Sequence, residues 1–266
     1  MAEPKIVAHG ITKYFGVGAG AVKALEPFDL FVNTGEFICI LGPSGCGKST
    51  FLRMVAGLIE PSTGSLFMDG QPIAGPHRER GLVFQEYALF PWKTVLGNVM
   101  YGPLVQRLGR RKAHDIATEQ INRVGLKGFE SRFPRELSGG MKQRVGIARV
   151  LANQPEVLLM DEPFGALDSI TRGIMQQDLL KLWLEERKTV LFVTHSVEEA
   201  IYLADRIVVM SPRPGRIVSI IAVEPARPRN LLSSECIALR AQLTRLVEEQ
   251  VVSASSRPMN MPAYAD

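Results

Sequence analysis

Nine residues constrain this chain more than any others: "GPSGCGKST", Gly42 to Thr50, set between the apolar run "EFICIL" and a segment patterned as a helix. Glycine lets a backbone take conformations that a Cβ disfavours and come close to a ligand. The spacing G-x-x-x-x-G-K-[ST], met by Gly42, Gly47, Lys48 and Ser49, turns loop N–H groups and the start of the next helix toward one anion. In such a loop the lysine reaches phosphate oxygens and the serine hydroxyl ligates Mg2+. The intervening Pro43, Ser44, Gly45 and Cys46, and Thr50 after them, belong to the same cradle. A strand, this loop and a helix in that order imply an open α/β sheet.

The rest of the pattern agrees. "EVLLMDE", "TVLFVTH" and "RIVVMSP" are apolar runs separated by amphipathic segments, which predicts a largely parallel sheet with helical crossovers. "RIVVMSP" reads as the last strand of the core, and "RGLVFQ" as a strand ending on Gln85. "GSLFMDGQPI" reads as a hairpin turning at Asp69–Gly70. Met175, Leu179 and Leu182 mark a buried helix face, and Ser196 with Glu199 has the spacing of a capping box. Residues 87–153 are mostly helical in pattern and read as an inserted lobe, and residues 217–266 as a short extension whose end, from Ser253, is expected to be disordered.

With 46% hydrophobic and 22% charged residues the chain can bury a sizeable core. Its net charge of +4 is spread out, which argues against a nucleic-acid partner, and "RLGRRK" (Arg107–Lys112) reads as a solvated helix face. Three cysteines without metal-type spacing fit a reducing compartment. The N-terminus lacks the apolar core of a secretion signal, and no run approaches the ~18 apolar residues of a membrane span.

Further chemistry gathers at strand ends. "VLLMDEP" leaves Asp161 and Glu162 at the carboxyl edge of the sheet, where such folds bind ligands. Asp161 would hold Mg2+ and Glu162 would act as general base toward water. Gln85 could coordinate Mg2+ or orient water, and His195, at the end of "LFVTH", could hydrogen-bond a terminal phosphate. A second glycine-rich stretch, "LSGGMKQR", puts Ser138, Gly139 and Gly140 ahead of another helix, a phosphate half-site with no local partner.

Together these stretches resemble the ATPase subunits of ABC transporters. "GPSGCGKST" corresponds to Walker A, "VLLMDE" to Walker B, "LSGGMKQR" to the signature motif, Gln85 to the Q-loop, "ALD" with Asp168 to the D-loop and His195 to the switch histidine. The resemblance spans roughly residues 5–215. It implies a P-loop NTPase (RecA-like) core, α/β with a mainly parallel sheet, over residues 1–86 and 154–216, with an antiparallel β subdomain and a helical signature subdomain at 87–153. It implies ATP and Mg2+ as ligands. Two subunits, expected to be identical, would stack head to tail, with Ser138, Gly139 and Gly140 of one closing on the ATP held by the other. An aromatic in "ITKYFG" would stack on adenine, Phe15 by preference and Tyr14 as second choice.

The single cassette without a fused membrane segment suits an importer with separate subunits, lying on the cytoplasmic face of the cell membrane. Two permease subunits would dock near Tyr87, Leu89, Phe90, Pro91 and Trp92, and a periplasmic or surface solute-binding protein would act indirectly. "EYALFPWKTVLGNV", "THSVEEAIYLADRIVVMSPRPGRI" and "VEPARPR" are similar to the nitrate/sulfonate/taurine importers. Related subunits serve pyrimidine vitamin precursors or bicarbonate, and a soluble ABC ATPase outside transport is the remaining alternative.

Overall fold

Residues 4–255 are described by the structure, a computed structural model. The chain begins with two long strands, β1 (Ile6–Phe15) and β2 (Val22–Val32). Along β1, Ile6 and Ala8 turn inward, and along β2 Phe28, Leu30 and Val32 do, the period of two of a half-buried strand. Strand β3 (Phe37–Leu41) is buried at every position, as a central parallel strand must be, and leads straight into the cradle and helix α1 (Lys48–Val55). The expected hairpin is β4 (Thr63–Met68) and β5 (Gln71–Pro72). Asp69 and Gly70 have φ of 50° and 72°, the two positive angles that a tight I′ turn requires. These strands form an antiparallel sheet in the order β2-β1-β4-β5.

After β6 (Arg80–Val83) come helices α2 (Val95–Val99), α3 (Tyr101–Val105), α4 (Arg110–Arg123) and α5 (Gly139–Leu151). Strand and helix then alternate: β7 (Val157–Asp161), α6 (Ser169–Glu186), β8 (Thr189–Thr194), α7 (Val197–Leu203) and β9 (Arg206–Met210). Strand β10 (Ile217–Ala222) and helix α8 (Ser234–Ser255) end the described chain. The second sheet runs β10-β9-β3-β8-β7-β6, parallel throughout except where β10 meets β9. The side-chain alternation of β3 divides the core. Phe37, Cys39 and Leu41 join the side that holds α5, α6 and α7; Ile38 and Ile40 join the side that holds α1 and the antiparallel sheet.

Several expectations need correction. The edge strand β6 stops at Val83, so Gln85 lies two residues beyond its strand rather than on its end. β9 ends the run of parallel strands, and the strand-like run after Arg216 adds β10 antiparallel at its edge. On α6 the buried stripe is Met175, Leu179, Leu180 and Trp183, with Leu182 only half-buried. Ser196 does cap α7, its Oγ accepting from the Glu199 N–H at 3.3 Å. The reciprocal bond is missing, since the Glu199 carboxylate accepts from the Thr194 hydroxyl instead. The first three residues of the tail read as disordered belong to α8, and the remainder lies outside the described residues. Arg107 and Arg110 to Lys112 are exposed, as a solvated face should be, and the three cysteines are free and buried.

The extension after β10 folds back along α7. Arg229 Nη1 donates to the carbonyl of Ile201 at 2.8 Å and Arg227 Nη2 to that of Leu203 at 2.6 Å, so two arginines satisfy carbonyls that the helix end leaves free. Arg229 also donates to the Val223 and Pro225 carbonyls; burial and the charge of Arg227 bring its guanidinium down to about 10.

Candidate active site

The cradle needs its glycines for two separate reasons. Gly47 caps α1 with φ 95°, and a Cβ there would lie 2.5 Å from Cδ2 of buried Leu25. A Cβ on Gly42 would lie 2.8 Å from the Met210 carbonyl oxygen. The lysine that follows is almost fully buried, at 4% exposure. Its Nζ donates to the carbonyls of Gly42 (2.8 Å) and Pro43 (3.0 Å) and lies 3.8 Å from Glu162 Oε1. The ammonium is thus pinned across the loop that it closes.

Ser49 Oγ donates to Asp161 Oδ1 at 2.6 Å. Two hard oxygens this close, one a carboxylate, fit a small oxygen-seeking divalent cation such as Mg2+. Burial pushes the Asp161 carboxyl above its ordinary value, although the Ser49 hydroxyl opposes this. Burial likewise raises the Cys46 thiol, against the pull of the neighbouring Lys48.

Glu162 follows β7 with φ 42°, a left-handed backbone that costs about 1–2 kcal/mol in a residue with a Cβ. Its N–H donates to the Val193 carbonyl at 3.0 Å, which anchors the bend to β8. The bend brings Oε2 to 3.0 Å from His195 Nδ1. Carboxylate and imidazole come from adjacent parallel strands, at the carboxyl edge where the sequence placed them.

A cleft of about 550 Å³ opens beside these groups; Asp161 and His195 do not line it and meet it through their partners Ser49 and Glu162. It is lined by the cradle from Ser44 to Thr50, by Gln85 and Glu162, and by Phe15, Val22 and Ala24 at the other end. Phe15 is thereby placed beside the cradle, whereas Tyr14 is not among the lining residues. Gly42 and Pro43 enter through their carbonyls, which hold Lys48. Arg213 also lines the cleft and was missed in the sequence. Its signal was an arginine in the Pro-Gly loop "SPRPG", directly after the strand that neighbours β3.

Ser138, Gly139 and Gly140 are not brought to this cleft. Exposed Ser138 caps α5, its Oγ accepting from the Met141 N–H at 3.3 Å. Gly140 sits so close to α6 that a Cβ would lie 2.6 Å from Thr171 Cγ2. The start of α5 is therefore not part of the lining of the chain's own cleft.

Residues 25–165 match the family described as ABC transporter. The chain belongs to the ABC transporter family. It is 48% identical over 250 residues to an uncharacterised ABC transporter ATP-binding protein of Methanocaldococcus jannaschii, covering 94% of each chain. It is 44% identical to an aliphatic sulfonates import ATP-binding protein of Bacillus thuringiensis, over 90% of this chain and 94% of that one. A nitrate import ATP-binding protein of Synechocystis is 50% identical over 74% of each. Among solved structures it resembles the ATP-binding cassette MJ0796, seen as a dimer bound to ADP and inorganic phosphate after hydrolysis. The TM-score is 0.73 at 33% identity, over 83% of this chain and 100% of that one. The ABC chain is accordingly an ATP-binding subunit and ATPase with the P-loop NTPase fold. No helix among the described residues is long and apolar enough to cross a membrane.

Proposed function

We propose that this chain is the ATP-hydrolysing motor of an importer for a small anionic solute of the sulfonate or nitrate kind, working as a homodimer beneath two permease subunits on the cytoplasmic face of the membrane. The observation that carries the hydrolytic part is that Lys48, Ser49 and Glu162 line one cleft, with Asp161 hydrogen-bonded to Ser49 and His195 to Glu162, all from three adjacent strand ends. Lys48 and the N–H groups from Ser44 to Thr50 hold the phosphates, and Phe15 stacks on the base. Ser49, Asp161 and Gln85 would hold Mg2+, which would neutralise phosphate charge. Glu162 accepts a proton from the attacking water, and His195, hydrogen-bonded to it, keeps the carboxylate oriented toward the terminal phosphate.

Exposed Ser138 at the start of α5, outside the lining of the chain's own cleft, supports a site completed by a second copy. Ser138, Gly139 and Gly140 of one subunit would close on the phosphates held by the other, with a helix N-terminus aimed at the anion. Relatives named as sulfonate and nitrate import proteins support the solute class. The permease surface is supported by Trp92, 71% exposed, and by a groove lined by Phe84, Ala88, Phe90 and Tyr101 between β6 and the helical lobe. A solute-binding protein delivers the solute on the far side and does not touch this chain.

The test is Ser138→Arg in the purified protein. ATP binding to the monomer is expected to stay near the wild-type value, apart from about 1 kcal/mol of stability lost with the helix cap. Hydrolysis should stop, because the arginine blocks the neighbour's site. Wild-type hydrolysis by this variant would refute the shared site.

A further inference from the structure

Glu199 makes more contacts than a helix cap requires. It is buried, at 5% exposure, on the first turn of α7. Its Oε2 accepts from Thr194 Oγ1 at 2.5 Å, and Thr194 Oγ1 accepts from the Ser196 N–H at 2.9 Å. Residues 194 and 196 bracket His195, so one hydroxyl, itself held by Glu199, fixes the backbone on both sides of the imidazole.

The other oxygen faces α6. Glu199 Oε1 accepts from Gln176 Nε2 at 3.3 Å and lies 3.8 Å from Arg172 Nε, a buried nitrogen with no hydrogen-bond partner among the described residues. Arg172 Nη2 donates to the Leu167 carbonyl at 2.9 Å. Leu167 belongs to the short loop that leaves Glu162 and ends at Asp168, the cap of α6. That loop is internally braced, Gly165 N–H to the Glu162 carbonyl at 3.1 Å and Leu167 N–H to the Phe164 carbonyl at 3.2 Å. An acid in this interior is costly, and burial pushes its carboxyl above the ordinary value. An apolar residue would serve packing at less cost.

We propose that Glu199 is a positioning residue for hydrolysis: through Thr194 it holds the His195 turn, and through Arg172 the Glu162 loop, so that the two groups 3.0 Å apart stay in register. The inference rests on the catalytic reading of Glu162 and His195 given above. Glu199 itself touches neither substrate nor metal.

The experiment measures ATP hydrolysis by the purified full chain, well below its unfolding temperature, for Glu199→Gln, Arg172→Gln, Thr194→Val and the Glu199→Gln/Arg172→Gln double variant. Misplacing a reacting group by about 1 Å can cost up to a hundredfold, so kcat should fall about ten- to a hundredfold with KM for ATP within about twofold of wild type. The double variant should be no slower than its slower parent, because both changes cut the same link. Multiplying losses in the double variant, or a lowered Tm with unchanged kcat, would overturn the inference. Should Glu199→Gln fail to fold, Arg172→Gln and Thr194→Val decide in the same way. Glu162→Gln serves as the control. If it hydrolyses at the wild-type rate, the catalytic reading fails; if it is inactive while the other variants keep their kcat, only the role of Glu199 fails.

Discussion

Glu162→Gln removes a proton acceptor while changing little else. The amide has nearly the size of the carboxylate and keeps an oxygen that can face His195 Nδ1, now 3.0 Å away. It sits on the same backbone at φ 42°, so the conformational cost is common to both proteins. What disappears is the base. General-base catalysis contributes about 10²–10⁴-fold, which is roughly 2.7–5.4 kcal/mol of barrier at 1.36 kcal/mol per tenfold. Binding should respond in the opposite sense. Glu162 Oε1 lies 3.8 Å from Lys48 Nζ, so removing its charge leaves the ammonium more available to an incoming triphosphate. ATP affinity, measured by equilibrium dialysis without turnover, should be equal or higher. Phosphate release at saturating ATP and Mg2+ should fall by at least a hundredfold. A rate within threefold of wild type would remove Glu162 from the chemistry, and a tenfold loss of ATP affinity would make it a binding residue instead.

Phe15→Ala should weaken ATP binding by about 1–3 kcal/mol, the worth of one base stacked on an aromatic ring, and titration with ATP and with inorganic triphosphate should show the loss for ATP only. The Asp161 carboxyl is raised by burial, so its charged form is less stable folded than unfolded. Its contribution favours the fold at low pH and is lost as pH rises through the raised value. Asp161→Asn should therefore raise the Tm of the nucleotide-free protein at pH 7, flatten its decline with pH and abolish Mg2+-dependent hydrolysis, as thermal scans and phosphate assays would show. Arg229→Met should cost about 2–3 kcal/mol in urea unfolding, because it leaves the carbonyls of Ile201, Val223 and Pro225 without their donor.

The cradle and the carboxylates were legible because their chemistry restricts residue type at fixed spacing. Glycine at 42 and 47 is enforced by the Met210 carbonyl, by Leu25 and by a left-handed φ, so the spacing survives in the sequence as a pattern. The central strands were legible because burial on both faces leaves five apolar residues in a row. β1 and β2 are not legible strand by strand. Their bulged registers, with shifts between Ala8 and Ile11 and again near Lys13, break the alternation that would reveal them. The sequence extends the strand to Gln85 because "GLVFQ" stays apolar one residue past Val83, although pairing with β7 ends there. Arg213 and the link from Glu199 to Arg172 were hidden for a different reason. Each joins elements far apart in sequence, and neither belongs to a spacing that local chemistry imposes.

Lys48 has one consequence for how a ligand enters. The ammonium has three N–H donors, and the carbonyls of Gly42 and Pro43 take two of them, so an arriving phosphate meets a donor already fixed in place by two internal bonds. The same two bonds pin the ammonium across the loop, so the mould for the anion exists before the anion does.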